Sequence, residues 1–230
     1  MAIRTPTRTQ ARQQRTRIRL LEAAYELMSQ TGVDDTSINA IADLADVGFG
    51  TFYNYFDSKD DIAANVLDCV IDNLGRRNDL ATQALDEHDP VKIVAISVRL
   101  VAHEMSVNPM WTSWVAHPEL VVNRMRDGFR PFGRRDFDRA VLADAFDLVD
   151  DDFELAWGSL MWMLVGGVKG VLDGRHQLES ENRIVEGILR MLGVPPKAAA
   201  AATTSDLPSP PKLEIDFSFK SPVAPPTATG

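Results

Sequence analysis

The sequence predicts an all-α protein: a three-helix head built on a helix-turn-helix, then a larger helical body, about nine helices in all. Three observations predict it. Apolar residues recur at helical spacing in segment after segment, and helix-start signals such as Asp89–Pro90 and Asn108–Pro109 punctuate the chain. The body shows no strand alternation, no internal repeat and no glycine-rich phosphate loop. With 230 residues and 45% hydrophobic composition, there is enough apolar mass for a real core.

The first helix is expected from Arg12 to Gln30, where Ile18, Leu21, Ala24, Tyr25, Leu27 and Met28 keep helical spacing and Gly32 is a C-terminal stop. Thr36 and Ser37 cap the second, in which Ile38, Ile41, Ala42 and Ala45 form one apolar stripe. It ends at Asp46. Asp46, Val47 and Gly48 can turn the chain, because Asp and Gly tolerate left-handed backbone that most residues resist.

A very short third helix follows, pinned by Phe52 and Phe56, with Thr51, Tyr53, Asn54 and Tyr55 left facing outward. That density of aromatic residues is too high for an ordinary exposed helix. A short helix displaying hydroxyls, an amide and rings, held by a preceding helix across a tight turn, is the geometry that enters a DNA major groove. Lys59 supplies a phosphate contact just past its end. Ser58 caps a fourth helix, with Asp60 and Asp61 in its positive first turn, running through Ile62, Val66, Leu67, Val70, Ile71 and Leu74.

Over Thr36–Lys59, TSINAIADLADVGFGTFYNYFDSK, the chain resembles the TetR family of bacterial transcriptional regulators. The family signature reads approximately T-T/S-x-x-x-I-A-x-x-A-G-V-S/G-x-G-T-F/L-Y-x-Y/H-F-x-S-K, and the sequence departs from it at Asp46, where Gly is usual, and at Gly48, where Ser is common. The resemblance places Ser37, Asn39, Gly48, Phe49, Gly50, Thr51, Tyr53, Asn54, Tyr55 and Lys59 at DNA-contact positions. Ser37, Tyr53, Tyr55 and Lys59 are assigned to phosphates, and Asn39, Thr51 and Asn54 to base edges. Gly48 and Gly50 would let the start of the third helix approach a phosphate. Phe49 has two readings: spacing with Phe52 and Phe56 suggests core, and its place before the helix suggests a thymine methyl contact, which is preferred.

In the body, helices are expected over Val91–Val107, from Asn108–Pro109 to His117, from Pro118 to a break at Gly128, Pro131 and Gly133, from Asp136 to Phe146, over Phe153–Leu172, and over Ser180–Leu192. Leu155–Val168 carries no charge, but it is shorter than the ~20 residues a membrane span needs, so no membrane partner is expected. An all-round apolar helix must instead be buried. With the last helix it forms an expected homodimer interface through Gly166, Gly170, Ile188 and Leu192, as the resemblance also implies. His103, Met105, Trp111, Trp114, His117, Phe129, Trp157 and Met161 are the candidate lining of an effector pocket, since Trp and Met line adaptable apolar cavities. The resemblance implies a small-molecule effector there, expected to be large and mostly apolar, that favours a head spacing unsuited to a double-stranded DNA operator.

The formal net charge is −9, yet residues 1–19 hold six arginines and no acid, so the remainder carries −15. An acidic body with one basic end suits a protein that meets DNA on one side only. Residues 1–11 are expected as a disordered basic arm, 12–62 as the helix-turn-helix domain, 63–194 as the effector-binding and dimerisation domain, and 195–230, which holds eight of the thirteen prolines, as a disordered tail. Within that tail Leu213–Lys220 alternates strictly and is expected to dock as an extended strand or apolar strip on the body or on a partner. The single Cys69 excludes an internal disulfide and sits in an apolar run as packing.

No enzyme is expected: the four histidines show no metal-ligand spacing and there is no nucleophile elbow. No cofactor is implied. With no apolar leader, a cytoplasmic protein is expected. The function expected is a dimeric repressor binding an inverted-repeat operator; the alternative is an effector-independent DNA-binding or scaffolding protein that recruits a partner through its tail.

Overall fold

The computed structural model describes residues 7–85, 87–177 and 180–219, and among them it contains eleven α-helices and no strand. In chain order these are α1 (Arg8–Thr31), α2 (Ile38–Leu44), α3 (Phe49–Phe52), α4 (Lys59–Gln83), α5 (Pro90–Val107), α6 (Pro109–Val115), α7 (Pro118–Gly128), α8 (Arg130–Leu142), α9 (Phe153–Leu172), α10 (Glu181–Met191) and α11 (Pro196–Ala202). They fall into two compact units. One holds the described residues up to Val70 with those from Ile215, and the other is Ile71–Glu214.

In the first unit α1 begins at Arg8, earlier than composition suggests. Thr7 Oγ1 accepts from the Gln10 amide at 3.3 Å while Gln10 Oε1 accepts from the Thr7 amide at 2.9 Å, a reciprocal capping box that satisfies two free amides. The expected disordered arm over residues 1–11 is therefore corrected from Arg8 onward, and residues 1–6 lie outside the described residues. Arg8, Arg12, Arg15 and Arg19 are all exposed and follow one another at helical spacing, so they form a single basic stripe along α1. Arg17 turns the other way: its Nη2 donates to Asn65 Oδ1 at 2.6 Å and its guanidinium lies 5.4 Å from the Phe56 ring centre. The core of this unit is Leu20, Leu21, Ala24 and Met28 of α1, Ile41 and Ala42 of α2, then Phe52, Phe56, Ile62 and Leu67, all buried. Burying each large apolar side chain contributes about 1.5–3 kcal/mol.

In the second unit α5 is central, packing against α6, α8, α9, α10 and α11. Its Arg99 is buried, donating to Asn182 Oδ1 at 2.8 Å and to the Ser205 carbonyl at 2.5 Å. Burial pulls its pKa down, against the opposing pull of Glu181 and Asp206. The expected break through Pro131 and Gly133 is corrected: α8 starts at Arg130, with Pro131 in its first turn, where a missing amide costs nothing. Gly133 lies within the helix, and the Trp157 ring occupies its side-chain space, 2.2 Å from where a Cβ would stand, so only glycine fits there. The acidic run before α9 is turn and cap chemistry. Asp144, Asp150 and Asp151 hold φ of 52°, 52° and 53°, and Asp152 Oδ1 accepts from the Leu155 amide at 3.0 Å. No cluster able to hold a metal ion occurs among the described residues.

Helix α9 is long and apolar enough, by length and composition, to cross a membrane, and 44% of its most apolar window is buried inside the protein. Leu160, Leu164, Val165 and Val168 face inward; Leu155, Trp162, Met163 and Gly166 remain exposed.

The tail also differs from its composition. Pro196–Ala202 is helix α11, packed on α5 and α10 with Ala199 and Ala202 buried. The run of alanines lets two helices approach closely, and Pro196 starts the helix. Beyond it Leu207 packs on Ala81, Ile96 and Leu100. Arg77 Nε donates to the Pro211 carbonyl at 3.1 Å, and Asn73 Nδ2 to the carbonyls of Leu213 and Glu214 at 3.2 and 3.0 Å. In the first unit Phe217 meets Tyr25 at 5.6 Å between ring centres. The segment thus lies down without forming a strand, and the disorder expected for 195–230 is corrected through Phe219; Lys220 and the residues after it lie outside the described residues.

Candidate DNA-reading face and ligand cavity

The turn between α2 and α3 is a Schellman motif. The Val47 amide donates to the Ala42 carbonyl at 3.0 Å and the Asp46 amide to the Asp43 carbonyl at 3.1 Å, with Asp46 left-handed at φ 51°. Asp46 thus performs the backbone task for which glycine is usual. Its carboxylate is solvent-exposed and lies 3.7 Å from Arg19. Gly48 precedes α3 with no side-chain cap, and both Gly48 and Gly50 are exposed.

Phe52 and Phe56 are buried and 5.8 Å apart between ring centres, which fixes the rotation of α3. That rotation exposes the opposite side: Phe49 is 51% exposed and Tyr53 48%, in edge-to-face contact at 5.4 Å. Phe49 is therefore no core residue. Asn39 and Asn54 are exposed beside them, and Thr51 and Tyr55 half-buried. Ser37 spends its oxygen as the α2 cap, accepting from the Ala40 amide at 3.1 Å. Lys59 Nζ donates to the Asp34 carbonyl at 2.7 Å, so it braces the loop before α2 with one of its three donors.

The second unit encloses a cavity of about 60 Å³. Four helices each give it one face at helical spacing: Gly75, Asn78, Asp79 and Thr82 from α4; Val94, Ser97, Val98 and Val101 from α5; Phe132, Gly133, Asp136 and Phe137 from α8; Trp157, Leu160, Met161 and Leu164 from α9. Phe129 completes it. Two glycines admit the aromatic walls, since the Phe132 ring occupies the side-chain space of Gly75 as Trp157 does that of Gly133. Trp157 is held by its indole N–H, which donates to the Arg126 carbonyl at 2.8 Å, and it stacks on Phe153 at 5.8 Å. At the polar end Arg135 bonds Asp136 at 3.0 Å and Asp79 at 2.6 Å, and these carboxylates push its pKa up, Asp136 first.

Phe129, Trp157 and Met161 are thus brought together as expected, and five other candidates are not. His103 is exposed against Glu181 at 3.3 Å, and His117 is exposed at the start of α7. Met105 is buried away from the cavity. Trp111 and Trp114 are fully buried against each other at 5.7 Å. The missed residues had a faint signal: Gly75, Asn78 and Thr82 place small and polar groups at i, i+3 and i+7 on a helix otherwise apolar on its inner side.

For the dimer, Ile188 and Leu192 have no exposed surface within the chain, and Gly170 is covered by His176. On α9 the exposed residues are Leu155, Trp162, Met163 and, of the expected set, Gly166.

A helix-turn-helix presenting an exposed aromatic and amide face, followed by an all-helical cavity-bearing body, defines a class of DNA-binding regulator. Residues 20–66 match the model of bacterial regulatory proteins of the tetR family, and residues 89–204 match the tetracyclin repressor-like C-terminal domain. The chain belongs to the TetR family of bacterial transcriptional regulators. It is 33% identical over 87 residues to the transcriptional regulator AcrR of Shigella flexneri, covering 38% of this chain and 40% of AcrR. It is 30% identical over 100 residues to the repressor KstR of Mycolicibacterium smegmatis, covering 44% and 48%. The chain thus spans about half the length of these two relatives. Its fold matches RolR in complex with resorcinol at a TM-score of 0.80 and 25% identity, over 87% of this chain and 99% of RolR.

Proposed function

We propose that the protein is a transcriptional repressor that binds an inverted-repeat operator as a homodimer in the cytoplasm and is released by a compact aromatic effector. The observation that carries the DNA part is the exposed face of Phe49, Tyr53 and Asn54 on a helix locked by buried Phe52 and Phe56. Exposing two adjacent rings to water is costly unless a partner covers them, and a base step with thymine methyls is such a partner. Asn39, Thr51 and Asn54 serve the base edges; Tyr55, Lys59 and the arginine stripe of α1 serve phosphates.

The effector is compact, which revises the large ligand expected from composition. A water needs roughly 10–15 Å³ of such space, so about 60 Å³ suits a ligand of a single ring. Resorcinol in RolR is a single ring of this kind. Helix α4 holds Ile62 in the head's core and Asn78 in the cavity wall, so ligand-induced tilting of α4 is the route out of the operator-bound state. A ligand works only through its differential affinity for the two states. Because Pro196–Ala202 and Leu207–Glu214 pack on the body, the tail is less suited to recruiting a partner, and the scaffold reading loses ground.

The test is capture of source-genome fragments on the purified protein at physiological salt, followed by sequencing, with and without resorcinol. A few enriched sites carrying an inverted repeat, reduced by the ligand, are expected. Even capture without a motif overturns specific recognition, and a motif indifferent to every small aromatic compound overturns the effector part.

A further inference from the structure

The cavity wall holds one polar atom that the fold leaves without a partner. Asn78 is buried, with 8% of its surface exposed, and its Nδ2 donates to the Ser97 carbonyl at 2.9 Å. This bond fixes the amide orientation, because the flipped amide would set oxygen against oxygen. Asn78 lines the cavity, and its Oδ1 is buried with no hydrogen-bond partner. Its neighbour Thr82 cannot supply one, since that hydroxyl donates to the Asn78 and Asp79 carbonyls at 3.1 Å. A buried acceptor left unpaired costs free energy that a ligand donor recovers.

We infer that Asn78 Oδ1 is the specificity-determining acceptor of this cavity and selects ring ligands that carry a hydroxyl or N–H donor over isosteric rings that carry a methyl. This rests on the cavity being the effector site. Asp79 and Asp136, the carboxylates of the wall, are already bonded to Arg135, and Val94, Val98 and Val101 are apolar and discriminate only by shape. A site built to hydrogen-bond a donor rejects the analogue that lacks it far more sharply than an apolar wall rejects an added hydroxyl.

Phenol and toluene have the same size and differ in that one group. Their affinities for the full chain, measured by titration calorimetry in wild type, Asn78→Ala and Asn78→Leu, give a phenol-to-toluene ratio that partial loss of folded protein does not alter. The ratio is expected to fall by about five-fold or more in either variant. An unchanged ratio in a variant that still binds toluene overturns the assignment. Should neither variant fold, a crystal structure of the wild-type phenol complex decides: the hydroxyl within hydrogen-bond distance of Asn78 Oδ1 supports it, and a hydroxyl directed elsewhere overturns it. If wild type binds no ring, the effector reading itself falls, and this assignment falls with it.

Discussion

Asp46 shows how one residue can depart from a family pattern and still serve the fold. The position is set by the Schellman bonds at the end of α2, which require a left-handed residue, and Asp is among the few non-glycine residues that accept it. Acceptance is not preference, since glycine reaches φ 51° with no Cβ penalty. Asp46→Gly is expected to raise Tm by about 2–4 °C, because the lost contact with Arg19 is exposed and worth little. An equal or lower Tm in thermal unfolding would show that the ion pair matters more than the backbone. Phe49 tests the neighbouring assignment. At 51% exposure its removal takes little from the core, so Phe49→Ala should leave Tm within about 2 °C while weakening operator binding and changing base preference. A large fall in Tm would return Phe49 to the core.

At the scale of elements, helices with an apolar stripe and a cap were legible, and those specified by other means were not. Periodicity and caps located α2, α5, α6 and α9, because Ser37, Asp89, Asn108 and Asp152 are bonded caps. Composition misled at both ends: arginines at the start of α1 and alanines in α11 look like solvated chain, yet a capping box and close helix packing order them. Of the cavity wall only Phe129, Trp157 and Met161 were legible, while α4's contribution depends on which side of a long helix faces inward. The order found in α1 sharpens the role of its arginines. On a helix, Arg8, Arg12 and Arg15 share one face and can meet consecutive phosphates together. Each phosphate contact contributes about 0.9 to the slope of log affinity against log salt. Replacing these three with alanine should shallow that slope by up to about 2.7, measured by operator binding across a salt series. An unchanged slope would mean the stripe faces away from DNA.

At the scale of the whole molecule, the question is what covers the open side of α9. Within the chain that helix buries Leu160, Leu164, Val165 and Val168 and leaves Leu155, Trp162, Met163 and Gly166 in water. Leu155, Trp162 and Gly166 recur at i, i+7 and i+11, which sets an apolar seam, interrupted at Gly158 and Ser159, with a small residue where another backbone can come close. A seam of this kind fits a second copy of itself across a two-fold axis, and an inverted-repeat operator has the same symmetry. The two requirements support each other, because two heads linked in one dimer bind two half-sites with an effective concentration that a monomer lacks. Trp162→Glu places a charge at the centre of that seam and, since Trp162 is 49% exposed, leaves the subunit core intact. Sedimentation should therefore show a folded monomer in place of the dimer proposed for the wild type, with operator affinity reduced by roughly 100-fold or more. A variant that remains dimeric would move the interface off α9, and a monomer that keeps full affinity would detach operator recognition from two-fold symmetry.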